Sequence, residues 1–84
     1  GLFAYESVPG TNVEYMRVAA DQVSFTVSGP QDAEITLGLE AGCEYDIQID
    51  GKDAGSMKTN LGGKLTLSAE LEAKDKVEVV VRKA

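Results

Sequence analysis

Apolar and polar residues alternate in five segments of this chain, at the two-residue period of a β-strand. The segments are 23–27, 35–39, 45–49, 65–69 and 77–81. Because successive side chains of a strand point to opposite faces, each segment offers one apolar face and one polar face. Glycine, aspartate and asparagine separate the segments and signal turns. We therefore predict an all-β domain, a small antiparallel β-sandwich of about seven strands with Greek-key-like connections.

The apolar positions of these segments predict the core of the sandwich. Its members are Val23, Phe25, Val27, Ile35, Leu37, Leu39, Tyr45, Ile47, Ile49, Leu65, Leu67, Leu71, Val77, Val79 and Val81. The turn 28–32 predicts that segment 35–39 returns as an antiparallel partner of 23–27 at hairpin distance. Asp50-Gly51 predicts a hairpin, and the returning arm 52–59 is expected to be a short, exposed strand carrying Met57. Residues 60–63 predict the next turn.

Three segments have weaker patterns. Residues 2–8 suit either a first strand or a tail from a preceding domain. Residues 12–20 fit an edge strand with a bulge, although Asn12 could instead cap a short helix. Residues 68–76 contain good helix formers, but the alternation that runs from Leu65 to Leu71 favours a strand.

Charge and length narrow the possible functions. The net charge of −6 argues against binding nucleic acid or an anionic membrane surface, since both need a basic face. No apolar run approaches the roughly 20 residues of a membrane-spanning helix, so no membrane insertion is expected. The 84 residues suit one domain, 1–84. Because the chain starts at Gly1 and not at a methionine, we expect a module excised from a longer protein.

The chain has few of the residue types that carry out catalysis. The chain has no histidine, which removes Ser–His and Cys–His dyads and histidine metal sites. Its single cysteine, Cys43, cannot form an intrachain disulfide, and its phase with Tyr45 predicts a buried, unreactive thiol. The chain is therefore not expected to be an enzyme, and no catalytic, cofactor or metal residue is predicted.

Other candidate groups are also explained by structure alone. The acids Glu44, Asp46, Asp50 and Asp53 fall on polar strand faces and in a turn, so we interpret them as solvated. Loop 50–53 lacks the ligand spacing of an EF-hand, although a looser calcium site stays open as an alternative. Residues 60–64 lack the spacing of a phosphate-binding loop and predict a hairpin turn.

The aromatic residues leave one binding hypothesis. Phe25 and Tyr45 belong to the predicted core. Phe3, Tyr5 and Tyr15 are the candidates for an exposed platform, and packing against a neighbouring domain explains them equally well. A glycan-binding module using Tyr5 and Tyr15 with loop carboxylates is therefore an alternative, with its ligand-binding residues otherwise unknown.

Residues 35–47 resemble a fibronectin type III or related immunoglobulin-like module. Such modules place a leucine before a short turn and a tyrosine at the start of the next strand. The resemblance implies that the Tyr45 hydroxyl bonds back to the backbone near the corner. The segment departs from the pattern at Ala41, where proline is usual, and in the length of chain that follows Tyr45.

Residues 45–52 and 62–67 are similar to small β-sandwich modules at the C-terminal ends of bacterial secreted and cell-surface enzymes. This resemblance implies an accessory module that is extracellular or on the cell surface. We therefore expect a non-catalytic structural, spacer or interaction module of a larger secreted or surface protein. Its expected partners are neighbouring domains of the same chain, with a glycan as the alternative partner.

Overall fold

The structure, a computed structural model, describes residues 4–84, which form eight β-strands and no helix. The strands are β1 (Ala4–Val8), β2 (Asn12–Val18), β3 (Gln22–Ser28), β4 (Ala33–Gly38), β5 (Glu44–Ile49), β6 (Lys52–Lys58), β7 (Lys64–Ala69) and β8 (Lys76–Lys83). The prediction of a small all-β sandwich is confirmed, with eight strands where about seven were expected. The predicted contributions of Leu2 and Phe3 lie outside the described residues.

The strands form two antiparallel sheets of unequal width. The small sheet has the order β1-β4-β7, and the large sheet has the order β2-β3-β8-β5-β6. Two connections, β2–β3 and β5–β6, are hairpins within the large sheet, and the other connections cross between the sheets. The outermost strands of the large sheet, β2 and β6, are exposed along most of their length.

The alternation in the sequence predicted where the strands lie but not which strands pair with each other. The turn 28–32 does not make a hairpin, because β3 lies in the large sheet and β4 in the small one. Ser28 pairs with Lys76 of β8, whereas Ala33 pairs with Ala69 of β7. Residues 60–63 likewise connect β6 to β7 across the sheets and are not a hairpin turn. Alternation specifies which face of a strand is buried, but it does not specify the neighbouring strand.

The core lies between the sheets and contains most of the predicted residues. Leu39 and Ile49 are the exceptions, since they lie at strand ends, are half-buried and pack against the core from its margin. Ala33 and Ala69 are also buried, although neither was among the predicted core residues; Ala69 continues the alternation of Leu65 and Leu67. They face each other in the register of β4 and β7.

The ambiguous segments resolve as strand and turn. β2 is an edge strand, as favoured, and a bulge interrupts its pairing with β3 between Glu14 and Arg17. Tyr15 lies within this bulge at φ 57°. β7 ends at Ala69, and Leu71 is buried from within the following turn. The strand prediction for 68–76 is therefore correct only at its start.

The β5–β6 hairpin has the predicted turn. Asp50 and Gly51 both adopt positive φ, at 53° and 79°, which suits the twist of a two-residue hairpin. The returning strand β6 is exposed and carries Met57, as expected. Its pairing with β5 is interrupted near Gly55, which also has positive φ. The interruption bends the free edge away from regular pairing.

Gly63 fits a site where no other residue does. Its carbonyl accepts a hydrogen bond of 2.6 Å from the Leu39 amide, and its φ is 76°. A Cβ atom at Gly63 would overlap the Leu39 carbonyl oxygen. We expect Gly63→Ala to lower the free energy of unfolding by about 2–4 kcal/mol, through left-handed strain and steric overlap together.

The matched control is Gly42→Ala in the same corner. Gly42 has a similar φ of 67°, but a Cβ there meets open space. We expect a loss of only about 1 kcal/mol, because left-handed strain acts alone. Urea denaturation of both variants measures the difference, and equal losses would contradict the close approach at Gly63.

Candidate functional site: a cleft at one end of the sandwich

Four parts of the chain meet at one end of the sandwich, which we call the cleft end. They are the start of β1, the β2–β3 turn, the β4–β5 connection and the end of β8. A cleft of about 460 Å³ opens there. Residues 18–23 line one side and residues 38–40 another, and Tyr45 and Lys83 complete the lining. The cleft therefore lies where the two sheets separate and where connections, and not strands, form the surface.

A charged cluster lies at the margin of this cleft. The Glu40 carboxylate forms an ion pair with Lys83 and accepts a 3.4 Å hydrogen bond from the Cys43 thiol. The hydrogen bond from Lys83, followed by that from Cys43, lowers the pKa of Glu40. The same bond to Glu40 raises the pKa of Lys83. Both side chains keep their charge over a wider pH range, which ties the β4–β5 connection to the end of β8.

Tyr45 anchors the same connection from the core side. Its ring is buried in the core, and its hydroxyl accepts a 3.2 Å hydrogen bond from the Glu40 amide. The resemblance to immunoglobulin-like modules predicted such a bond between the Tyr45 hydroxyl and the nearby backbone, and the geometry agrees with it. The bond stabilises the sharp change of direction between β4 and β5.

Thr59 is a third anchor, and it was not among the candidate residues predicted from the sequence. Its side chain is buried, accepts a 3.0 Å hydrogen bond from the Cys43 amide and donates one of 2.6 Å to the Glu40 carbonyl. Its amide also donates to the Cys43 carbonyl at 2.9 Å. No local pattern marks Thr59, because it follows the exposed strand β6 and its partners lie 16 and 19 residues away in sequence.

Cys43 is only half-buried, so the prediction of full burial is wrong in degree. It precedes β5, which starts at Glu44, and it keeps the phase of Tyr45 but lies beyond the end of the strand. Its sulfur packs against the margin of the core and also lies 3.5 Å from the Ala41 carbonyl oxygen. The thiol thus belongs to the connection and not to the sheet interior.

The other candidate acids hold turns and neighbouring side chains. Asp50 accepts hydrogen bonds from the Glu78 amide and from Lys74, both at 2.9 Å, and the bond from the amide is the main reason that its pKa is lowered. Asp53 accepts from the Gly55 amide at 2.8 Å. Within residues 4–84, no three His, Cys, Asp or Glu side chains form a group that could hold a metal ion.

The two candidate platform tyrosines do not share a surface. Tyr5 is half-buried, with its ring edge-on to Phe25 at 5.5 Å and its hydroxyl 2.7 Å from that of Thr11. Tyr15 is exposed on β2. Phe3 lies outside the described residues. Of the aromatic residues within 4–84, Tyr15 is therefore the one whose side chain is mostly exposed.

Comparisons with known proteins found no relative of this chain. No protein-family model, no curated protein and no solved structure matches it. In the part of the chain that the structure describes, no helix has the length and apolar character to cross a membrane. The function must therefore be argued from the geometry alone.

The hydroxyl of Thr59 is expected to matter for stability. Thr59→Val keeps the shape but leaves the Cys43 amide and the Glu40 carbonyl without their side-chain partner, so we expect a loss of about 1–3 kcal/mol. Thr66→Val is the matched control, because Thr66 bonds only the exposed hydroxyl of Thr36. Its expected change is within about 0.5 kcal/mol. Urea denaturation compares the two, and equal effects would contradict the anchoring role of Thr59.

The Glu40–Lys83 pair predicts a pH dependence. The pKa of Glu40 is lowered in the folded chain from its ordinary value of 4.5. Its contribution to stability is therefore complete above that value and is lost as the pH falls through the lower folded pKa. We expect Glu40→Gln to lower the melting temperature at neutral pH and to converge with the native chain in acid. Glu70→Gln is the control, and a Glu40→Gln difference that persists in acid would contradict the ion pair.

Proposed function

We propose that this chain is a non-catalytic, immunoglobulin-like structural module of a larger secreted or cell-surface protein. In this proposal the cleft end packs against a neighbouring domain of the same polypeptide. The observation that carries it is the position of the two ends of the chain. The module serves to position that neighbour and takes no part in chemistry.

Both ends of the described chain lie beside the cleft. Ala4 pairs with Gly38, which lines the cleft, and Lys83 lines the cleft itself. Ala84 donates a 2.9 Å hydrogen bond to the Glu44 carbonyl and so leaves from the same end. A domain connected to either end is therefore held close to this surface, where a short linker gives a high effective concentration.

The surface of the cleft end suits a protein neighbour. Val18, Ala19 and Ala20 are exposed apolar residues of the cleft lining, and Leu39 is a half-buried one. The ion pair of Glu40 and Lys83 lies at the margin. An apolar centre with a polar rim is the usual composition of an interface between domains.

One hydrogen bond supports the immunoglobulin-like part of the proposal. Tyr45 is buried near the start of β5, and its hydroxyl accepts a bond from the amide of Glu40, five residues upstream. The corner tyrosine of immunoglobulin-like folds bonds upstream backbone in the same way. The two antiparallel sheets are compatible with a β-sandwich, whereas the order of the strands along the chain departs from the immunoglobulin fold.

Hydrogen exchange tests the docking. The experiment compares the isolated chain with the full-length protein that contains it, expressed from the parent gene. We expect amides of residues 18–22 and 38–40 to exchange more slowly in the full-length protein. Ala20→Arg puts a long charged side chain in the lining of the cleft and should remove that protection. Equal exchange in both contexts would contradict the docking, and a gene that encodes only these residues would exclude a larger protein.

Ala73→Arg is the matched control. Ala73 is also an exposed alanine in a turn, but it lies at the opposite end of the sandwich. We expect it to leave the protection of residues 18–22 unchanged. Loss of protection in both variants would point to a general effect of the added charge and would count against the cleft end as the docking surface.

The glycan alternative makes a different prediction. It keeps one exposed aromatic residue, Tyr15, in the bulge of β2. Titration of the isolated chain against polysaccharides, with and without calcium, tests this alternative. Saturable binding that disappears in Tyr15→Ala would replace the structural proposal with a carbohydrate-binding one.

A further inference from the structure

The edge strand β2 presents an uncovered apolar surface. Tyr15, Met16 and Val18 are 75%, 38% and 57% exposed. An edge strand also presents unpaired backbone N–H and C=O groups along its free side. Apolar side chains beside unpaired backbone groups are the usual features of a strand that pairs with another chain.

The bulge brings the two charged residues of β2 onto one face. Glu14 lies opposite Thr26 and Arg17 lies opposite Ser24 of β3. Thr26 and Ser24 are two residues apart, so they share the outer face of the large sheet. In a regular strand Glu14 and Arg17, three residues apart, would lie on opposite faces. The extra residue of the bulge corrects this phase.

The bulge has the same effect on the flanking valines. Val13 lies opposite Val27 and Val18 lies opposite Val23, and both partners face the interior of the sandwich. Each half of β2 therefore has the same pattern when it is followed from its outer end to the bulge. A valine faces the interior, a charged residue lies on the outer face, and one residue of the bulge follows. The two halves differ in the sign of the charge, since one carries Glu14 and the other Arg17.

We propose that β2 pairs with β2 of a second copy of this chain, antiparallel, about a two-fold axis between Tyr15 and Met16. In this arrangement Glu14 of each copy lies opposite Arg17 of the other, which gives two ion pairs. Val13 lies opposite Val18, and Tyr15 lies opposite Met16. The interface is isologous, and it joins the two large sheets into one continuous sheet.

Charge complementarity and the bulge favour a second copy over an unrelated strand. The segment Val13-Glu14-Tyr15-Met16-Arg17-Val18 places opposite charges together only when it meets itself in the reverse direction. A bulge obstructs pairing with a regular strand. When β2 meets itself about this axis, both bulges lie at the centre and the regular halves remain in register.

The dimer is expected to be reversible. A single added strand buries less than the ~1,200 Å² of a stable interface, so the dissociation constant should be nearer ~1 mM than ~1 nM. Glu14 also lies 3.9 Å from Lys76 of its own chain. This contact competes little with Arg17 of the second copy, because 3.9 Å is at the limit of ion-pair distance.

Charge reversal tests the pairing by sedimentation equilibrium at concentrations up to about 1 mM. We expect the native chain to form dimers. Arg17→Glu and Glu14→Arg each place like charges face to face twice, and each should weaken the dimer at least tenfold. An equimolar mixture of the two single variants should restore dimers, because every position then meets an opposite charge. The double variant Glu14→Arg with Arg17→Glu should dimerise on its own.

Lys58→Glu is the matched control. It changes the net charge as much as Arg17→Glu but lies on β6, the opposite edge of the large sheet. It should leave the dimer unchanged, and circular dichroism should give the same spectrum for every variant. A native chain that stays monomeric at the highest concentration overturns the proposal. So does a dimer that tolerates both single reversals or that Lys58→Glu breaks.

Discussion

The sandwich depends on hydrogen-bond partners for backbone groups in the connections between its two sheets, because neither sheet pairs with these groups. Most connections of this chain pass from one sheet to the other, and a buried amide without a partner destabilises a small domain severely. Thr59 supplies such partners near the core, and short polar side chains supply them to exposed backbone groups of other connections. The Asn60 side chain accepts hydrogen bonds from the amides of Gly62 and Lys64, both at 2.9 Å. The Asp32 side chain accepts a hydrogen bond of 2.8 Å from the amide of Glu72, forty residues further along the chain. The polar composition of the connections is therefore structural as well as solvating.

The alternation of apolar residues predicted the strands and most of the core, because it reports directly on which face of each strand is buried. It did not predict strand partners. The turn at 28–32 carries the same glycine and proline signals whether the chain reverses within a sheet or crosses to the other one. The crossing is decided by the pairing of β3 with β8, whose sequence lies some fifty residues further along. Pairing of that kind has no local signal.

The cleft cluster was predictable only in part, and for the same reason. Tyr45 could be singled out from its resemblance to a corner tyrosine. Glu40, Thr59 and Lys83 come from three separate connections or strand ends, and only the folded chain brings them together. Cys43 was assigned to the interior from its phase with Tyr45, and it does pack against the core. Because β5 begins at Glu44, the thiol lies in the connection at the margin of the core and is only half-buried.

The place of β8 in the large sheet has a consequence for synthesis on the ribosome. This strand is the eighth along the chain, yet it lies between β3 and β5 and contacts both along its length. Until it emerges from the exit tunnel, the large sheet is two separate hairpins, and isolated hairpins are marginal in water. The large sheet therefore stays without its central strand until residues 76–83 have left the tunnel. Folding of these eight strands is consequently nearly all-or-none, and the apolar faces of the first seven strands are open to chaperones until β8 arrives.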